Sequence, residues 1–238
     1  MIEDLIQDRY KKNWIKLRRS YFKIVKYNWF KVTTNIKFVN YDDCLETYNK
    51  RMYEKHKEFI YHNKVIYDIG AQFGDYLIIW NKIYNNTVYG FEILKDNYQK
   101  SIENLKLNNY TNSEKEGIKL FNLGIGKSDY IYGNISNNML MSNNSGEKYK
   151  TEQIQNLPIN QNPDMIKIDV EGFEIEVLQS LKSIIDECKP DFIIEIHSHD
   201  LKNEVLRLLQ NYELKYEDVV IDNNVEYVSI LFMKITNN

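Results

Sequence analysis

Cysteine is scarce in this chain, and its two cysteines lie far apart. Neither Cys44 nor Cys188 belongs to a C-x-x-C pair. The sequence therefore supports neither a zinc site nor a disulfide framework, and a reducing cytoplasm is the expected location. Long apolar runs are also missing, since no stretch approaches the roughly 18 uninterrupted apolar residues of a membrane-spanning helix. Residues 1–10 carry acids and no apolar segment typical of a signal peptide, so secretion is not expected.

Acidic residues are absent from residues 9–37, although the whole chain has a net charge of −3. This segment contains ten Lys and Arg residues. Its apolar residues recur at intervals of three and four, which predicts a basic amphipathic helix, at Tyr10, Trp14, Leu17, Tyr21, Ile24 and Val25. Such a helix can pack its aromatic side chains on the core, with its lysines in water. It can also contact an anionic membrane peripherally or bind an anionic substrate. Residues 1–60 are therefore predicted to be a basic, aromatic, helical extension, and residues 61–238 the main domain.

The segment VIYDIGAQFG, residues 65–74, combines an apolar run with an acid and two spaced glycines. This pattern predicts a buried strand that turns sharply into a helix. Gly70 and Gly74 allow the backbone of the turn to approach a ligand closely. A second apolar run from Thr87 to Phe91 ends at Glu92, which would lie beside the turn and accept both hydroxyls of a ribose. The two segments together predict a nucleoside site.

The middle glycine of the dinucleotide motif G-x-G-x-x-G is missing from this turn. The pattern here is D-x-G-x-x-x-G, with Ala71 and Gln72 where that glycine should be. The turn is therefore poorly suited to a pyrophosphate at the helix N-terminus. S-adenosylmethionine, which carries no phosphate, is the better ligand.

Strands and helices alternate after this turn, as in a parallel sheet. Strands are predicted near residues 64–69, 87–92, 118–123, 164–169 and 190–196, and helices near residues 74–84, 95–109, 172–187 and 200–211. Two final strands, 217–221 and 225–235, flank a turn signal and should pair antiparallel. With 238 residues, 43% of them apolar, the chain can bury one substantial core. The predicted class is α/β, a Rossmann-like, seven-stranded, mostly parallel sheet with the last strand antiparallel and helices on both faces.

Two of these strands end in polar side chains. Asp169 ends the strand at 164–169, and Glu195 and His197 lie at the end of the strand at 190–196. Because ligands of an open α/β sheet bind at the carboxyl ends of its strands, these three side chains should converge. His199 would share their face if the strand continued that far. The polar stretch 127–150 is predicted to be an irregular loop over the strand tips, where a substrate would enter.

The block KIDVEG at residues 167–172 is the most specific motif of the chain. Together with residues 67–74, Phe91-Glu92, Glu174, Val177, Leu178 and residues 194–197, it resembles the FkbM-type methyltransferases of the class I superfamily. The resemblance implies transfer of a methyl group from S-adenosylmethionine, usually to a hydroxyl oxygen of a sugar, a glycolipid or a natural product. The predicted cofactor-binding residues are Asp68, Gly70, Ala71, Gln72, Gly74, Glu92 and Ile93. The chain departs from the family pattern at Gln72, at Ile93 and at residues 151–154, which read TEQI in place of a T-L-D segment.

Asp169 is predicted to lie nearest the reacting methyl group and to act as the general base, with Glu195 and His197 as the other catalytic residues. Asp169 and Glu171 could instead cap the following helix, and for Glu171 a cap or a salt bridge to Lys167 is at least as good an explanation as catalysis. A divalent metal would suit the ligand set Asp169, Glu195 and His197. No metal is predicted, however, because a simple hydroxyl acceptor does not need one. His56 and His62 are expected at the surface.

Three other functional classes remain open. A nicotinamide-dependent oxidoreductase is disfavoured by the missing middle glycine. A nucleic-acid methyltransferase is suggested by the basic N-terminal segment. However, residues 168–171 do not form the N/D-P-P-Y/F motif of amino-methylating enzymes. They are also acidic, which disfavours binding of phosphate groups. A non-catalytic scaffold would keep the fold without turnover, but the intact Asp68, Gly70, Gly74 and Glu92 argue against such a loss. The expected partner is a small-molecule, glycan or glycolipid acceptor, and no nucleic acid is expected to bind. The expected location is the cytoplasm. Residues 9–37 are the segment that would contact an anionic membrane.

Overall fold

A computed structural model describes residues 36–39, 64–136, 139–221 and 227–235. The predicted basic helix, His56, His62 and the predicted domain boundary at residue 60 lie outside these residues. Within the described part of the chain, none of the helices is both long and apolar enough to span a membrane.

The main sheet has seven strands in the order β10-β11-β9-β8-β1-β2-β3. The strands that position the site are β1 (Val65–Ile69), β2 (Thr87–Phe91), β3 (Ile118–Phe121), β8 (Met165–Ile168) and β9 (Asp191–Ile196). All of these pairs are parallel: β3 with β2, β2 with β1, β1 with β8, and β8 with β9. The last two strands are β10 (Tyr212–Ile221) and β11 (Tyr227–Ile235), and β11 runs antiparallel to both β9 and β10. The predicted seven-stranded sheet with a reversed final strand is confirmed.

Helices cover both faces of the sheet, because alternate strand residues point to opposite sides. On one face Ile66, Val88 and Ile193 pack with helices α1 (Asp75–Tyr84) and α2 (Lys95–Leu107). On the other face Ile69, Ile168 and Ile194 pack with helices α3 (Glu174–Ser180) and α5 (His199–Leu208). The helix predicted over residues 172–187 is in fact two helices, since α4 (Lys182–Cys188) follows a break at Leu181.

A second, smaller sheet replaces the irregular loop predicted for residues 127–150. It contains β4 (Gly124–Ile125), β5 (Tyr130–Ser136), β6 (Met139–Ser142) and β7 (Glu147–Glu152), in the order β4-β7-β5-β6. The loop prediction was wrong. The strands of this sheet are short and mostly exposed, so their many Asn, Ser and Gly residues do not give the apolar pattern of a buried strand. The small sheet touches the end of β8, where the Ser142 N–H donates to the Glu171 carbonyl at 3.2 Å.

Helix α2 presents a row of buried polar side chains to the rest of the protein. Asn97, Ser101, Asn104 and Asn108 recur at helical spacing and are each at most 6% exposed. Two of them hold the chain at residues 36–39: the N–H of Lys37 donates to Asn108 Oδ1 at 2.9 Å, and the N–H of Val39 to Asn104 Oδ1 at 2.8 Å. Ile36 and Phe38 thereby enter the core beside α1 and α2.

Candidate active site

The turn after β1 has the close backbone approach that its glycines predict. Gly70 has φ +88°, and a Cβ at this residue would lie 1.8 Å from the carbonyl oxygen of Asp169. Gly74 has φ +71° and is the N-cap residue of α1. Gln72 between them also has a positive φ, 44°. The turn is therefore shaped by the meeting of two backbones, that of β1 and that of β8.

Hydrogen bonds fix this turn from both sides. The N–H groups of Gly70 and Ala71 both donate to the Phe91 carbonyl, at 2.9 and 3.0 Å. From the row of polar residues on α2, Ser101 Oγ donates to the Gln72 carbonyl at 2.7 Å and Asn104 Nδ2 to the Phe73 carbonyl at 2.9 Å. The predicted cofactor-binding turn is thus rigid before any ligand arrives.

Glu92 lies beside the turn, as predicted, and is 5% exposed. One carboxylate oxygen accepts from the Gln72 N–H and the other from the Leu94 N–H, each at 2.8 Å. Burial raises the pKa of Glu92 to about 7, against the opposing effect of these backbone hydrogen bonds and of Asn97. A carboxylate can accept about four hydrogen bonds, and the two backbone N–H groups and Asn97 take three of these positions, which leaves one for a ligand hydroxyl. The neighbouring Ile93 is half-buried and lies against β4, where a Cβ at Gly124 would come within 2.6 Å of its Cδ1.

Asp68 at the end of β1 is fully buried, and Lys167 of β8 pairs with it. Lys167 Nζ lies 3.4 Å from Asp68 Oδ1 and 3.1 Å from Asp169 Oδ2. Burial alone would lower the pKa of Lys167, but the charges of Asp169 and Asp68 raise it well above its usual value. The charged ammonium of Lys167 therefore links Asp68, on the predicted cofactor side of the site, to Asp169, on the predicted catalytic side.

The three predicted catalytic side chains do converge. Asp169, Glu195 and His197 each offer one ligand atom, and these atoms all lie within 4.8 Å of one another. Their side chains are 27%, 29% and 15% exposed, so the cluster faces an opening. Burial, followed by the charge of Asp169, raises the pKa of Glu195. A carboxyl group with a raised pKa at such a place is suited to accept a proton near neutral pH.

His197 is held between carboxylates. Its Nδ1 lies 3.0 Å from Glu174 Oε1, and its Nε2 lies 3.1 Å from Glu171 Oε2 and 3.7 Å from Glu195 Oε1. Burial alone would lower the pKa of His197, but the hydrogen bond with Glu174 and the charges of Glu171 and Asp169 raise it to about 9. In the free protein the imidazole is therefore a cation inside an acidic cluster.

The structure decides between several alternatives that the sequence left open in this region. Lys167 pairs with Asp68 and Asp169, and Glu171 pairs with His197, so the alternative Lys167 to Glu171 salt bridge did not form. The N-cap residue of α3 is Phe173, without a side-chain capping hydrogen bond, so neither Asp169 nor Glu171 occupies the N-cap position. His199 begins α5 instead of extending β9, and it is exposed.

Two residues that sequence reasoning left without a role belong to this site. Glu174 is fully buried and accepts from the Gly172 N–H at 3.0 Å while it contacts His197. Lys167 is 5% exposed within an otherwise apolar strand. A lysine in the middle of the buried segment MIKI was the signal for an internal ion pair, because a buried charge needs a partner.

A family model described as the methyltransferase FkbM domain matches residues 68–216, which is more than half of the chain. The chain belongs to the FkbM family of methyltransferases. The predictions of an FkbM-type chain and of an S-adenosylmethionine-dependent methyltransferase are thereby confirmed, and the nicotinamide alternative loses its support. Among curated proteins, none matches this chain.

Solved structures share the fold of this FkbM-family chain. The methyltransferase FkbM from Methylobacillus flagellatus KT is 21% identical, with a TM-score of 0.50 over 71% of this chain and only 43% of that chain. Precorrin-6y C5,15-methyltransferase from Geobacter metallireducens GS-15 is 12% identical, with a TM-score of 0.51 over 78% of this chain and 87% of that chain. A Streptococcus pneumoniae protein provisionally assigned as a tRNA (m1A22) methyltransferase is 13% identical, with a TM-score of 0.51 over 79% and 70%. At such identities the likeness concerns the fold alone.

Proposed function

We propose that this FkbM-family methyltransferase transfers the methyl group of S-adenosylmethionine to a hydroxyl oxygen of a sugar, a glycolipid or a natural product. The observation that carries the proposal is the convergence of Asp169, Glu195 and His197 at the ends of β8 and β9. A neutral hydroxyl must lose a proton as its oxygen is methylated, and partly exposed carboxylates at a strand tip can take that proton.

The residues of the β1 turn fit the cofactor. The rigid turn from Gly70 to Gly74 offers the backbone surface that a nucleoside needs, and the Glu92 carboxylate beside it is placed to accept from the ribose. When bound, S-adenosylmethionine supplies a methyl group that passes to the acceptor oxygen as the carbon–sulfur bond breaks, a carbon–oxygen bond forms and the hydroxyl proton is released. Asp68 is fully buried and paired with Lys167, so we assign it the role of holding the Lys167 ammonium in place.

The acceptor end has a base and residues that position it. Lys167 holds one oxygen of Asp169 at 3.1 Å, which orients the carboxylate and leaves the other oxygen for a substrate proton. Glu195 takes the same role if the acceptor approaches from the β9 side. His197 is kept in place by the buried carboxylate of Glu174. These residues supply orientation and proton acceptance, which is what a hydroxyl acceptor requires.

A nucleic-acid acceptor is the second candidate, favoured by the ten bases and no acids of residues 9–37 and by the tRNA-related fold neighbour. The site itself argues against it. Asp169, Glu171, Glu174 and Glu195 stand within one cluster, and a nucleic-acid backbone would bring further negative charge to this opening. Like charges that face each other in a site disfavour association.

The test is to incubate the purified chain with S-adenosylmethionine labelled in the methyl group and with separated glycan, lipid, small-molecule and RNA fractions of a cell extract. The proposal predicts label in a glycan, lipid or small-molecule fraction, and none with the Asp169→Asn variant. Label that appears in the RNA fraction alone would establish the second candidate instead.

A further inference from the structure

The cluster of Asp169, Glu195 and His197 has the make-up of a cation site. Its three ligand atoms lie within 4.8 Å of one another, and each side chain is partly open to solvent. The residues sit at the ends of β8 and β9, two paired strands of the central sheet, and the Asp169 N–H is bound to the Ile69 carbonyl at 3.0 Å. Ligands built on such rigid elements are held in a fixed geometry.

The orientation of His197 is the second observation. Its Nδ1 is bound at 3.0 Å by Glu174, a carboxylate with no exposure, and Glu174 is itself fixed by the Gly172 N–H. Its Nε2 points toward the oxygens of Glu171 and Glu195. A carboxylate that holds one imidazole nitrogen while the other faces oxygen ligands is the arrangement found behind metal-bound histidines.

The balance of charge is the third observation. Among the described residues, the carboxylates of Asp68, Asp169, Glu171, Glu174 and Glu195 contact Lys167 and His197 at 3.0 to 3.7 Å. Lys167 occupies a single oxygen of Asp169, so the second oxygen stays available. Within the described residues, this cluster therefore holds more carboxyl groups than cationic side chains.

We propose that Asp169, Glu195 and His197 bind a divalent cation of the Mg²⁺ or Mn²⁺ type. Two carboxylates and one imidazole favour such a cation, and they leave coordination positions for water and for the acceptor. On the proposed function, on which this role rests, the cation coordinates the acceptor hydroxyl and lowers its pKa. Asp169 then serves as a ligand, and the Glu195 oxygen that does not bind the cation removes the proton more easily. This replaces the expectation from sequence that the reaction needs no metal.

Binding of Mn²⁺ alone tests the site directly. The purified full chain, freed of metal with a chelator and dialysed, is titrated with Mn²⁺ while the paramagnetic resonance signal of free Mn²⁺ is followed, and Mg²⁺ is then added as a competitor. We expect one site, displaced by Mg²⁺. Glu195→Gln and His197→Gln should each weaken it at least about tenfold, and Glu174→Gln by about 10- to 100-fold through loss of the imidazole's support.

Matched controls are Asp186→Asn and Glu213→Gln, which neutralise exposed acids of surface ion pairs on α4 and β10. These two variants should bind Mn²⁺ like the parent chain. Because Glu174 is buried, its variant is accepted only with a thermal transition close to that of the parent, whereas Glu195→Gln is isosteric and partly exposed. Absence of a Mn²⁺ site, or a site that the Glu195 and His197 variants leave unchanged, would overturn the proposal.

Different experiments test the role of the cation and the proposed methyltransferase function. If chelator-treated protein still binds S-adenosylhomocysteine but loses methyl transfer until Mn²⁺ is restored, the metal proposal is supported. Full transfer in excess chelator would overturn the metal proposal and leave the methyltransferase function intact. Loss of S-adenosylhomocysteine binding in the metal-loaded protein would count against the proposed function, while the Mn²⁺ titration still decides the cation site.

Discussion

Gly70 and Asp169 meet backbone to backbone: a Cβ at Gly70 would lie 1.8 Å from the Asp169 carbonyl oxygen. The turn that we assign to the cofactor and the strand end that we assign to catalysis are therefore in direct contact. Any side chain at residue 70 must push these two segments apart.

Gly70→Ala should destabilise the protein by more than about 2 kcal/mol, because the residue has φ +88° and the added methyl group meets a carbonyl oxygen. The measurement is the free energy of unfolding in urea. The control is Gly126→Ala, where a Cβ would meet only side-chain atoms, at 3.2 Å or more, and φ is not left-handed. Equal stabilities of the two variants would mean that the contact at residue 70 relaxes without cost.

The affinity for S-adenosylhomocysteine should fall as the pH falls below about 7. Burial raises the pKa of Glu92 to about 7, so the carboxylate that we assign to the ribose becomes protonated in the free protein below that pH. The dissociation constant should then rise by up to about tenfold per pH unit, while above pH 7 it should level off.

Glu92→Gln is the matched variant for this effect. It should lose about 1.5–3 kcal/mol of binding at pH 8, and its affinity should no longer follow the titration near pH 7. Glu103→Gln, at an exposed position of α2, is the control. Calorimetry on the three proteins separates the titration of Glu92 from that of the ligand. An identical pH profile in Glu92→Gln and in the parent would remove Glu92 from the site.

Asp169→Asn should keep the fold and most of the cofactor affinity but lower turnover by about 10²- to 10⁴-fold, the range expected for loss of a general base. The amide oxygen can still accept from Lys167, so the ion-pair network loses charge without losing its hydrogen bond. Turnover near that of the parent would show that orientation alone carries the reaction, or that Glu195 is the base.

Contact of residues 9–37 with an anionic membrane stays a prediction from the sequence, and the fold refines its test. Ile36 is fully buried and Phe38 is 6% exposed, so a truncation should end before them. Removal of residues 1–31 takes away nine of the ten bases and leaves this packing intact. The truncated chain should lose binding to anionic vesicles, which in the full chain weakens as salt rises, and should still bind S-adenosylhomocysteine. Unchanged vesicle binding would exclude the segment as an anchor.

Local patterns were enough to predict the central sheet and the convergence of the candidate catalytic side chains. The apolar strands at Val65–Ile69 and Met165–Ile168 are buried on both sides, and such strands give strong sequence signals. The convergence of Asp169, Glu195 and His197 followed from the rule that ligands bind at strand ends.

The parts that could not be predicted depend on contacts between distant segments. The small sheet of residues 124–152 is made of short, mostly exposed strands, so it lacks an apolar pattern. The role of Glu174 depends on its distance to His197, which lies on another element. In the sequence, the polar row on α2 has the pattern of a solvent-exposed helix face. In the structure it is buried, because the turn and residues 36–39 supply hydrogen-bond partners for its side chains.

The chemical identity of the methylated atom tests the central claim most directly. The purified chain is supplied with S-adenosylmethionine that carries ¹³C in its methyl group and with the acceptor fraction that takes the label, and the product is examined by carbon–proton correlation NMR. We expect the new ¹³C-methyl resonance at the chemical shift of a methyl ether on a glycan, lipid or natural product, with no such resonance from the Asp169→Asn variant in the same time. A resonance characteristic of a methyl group on nitrogen or carbon would contradict the account.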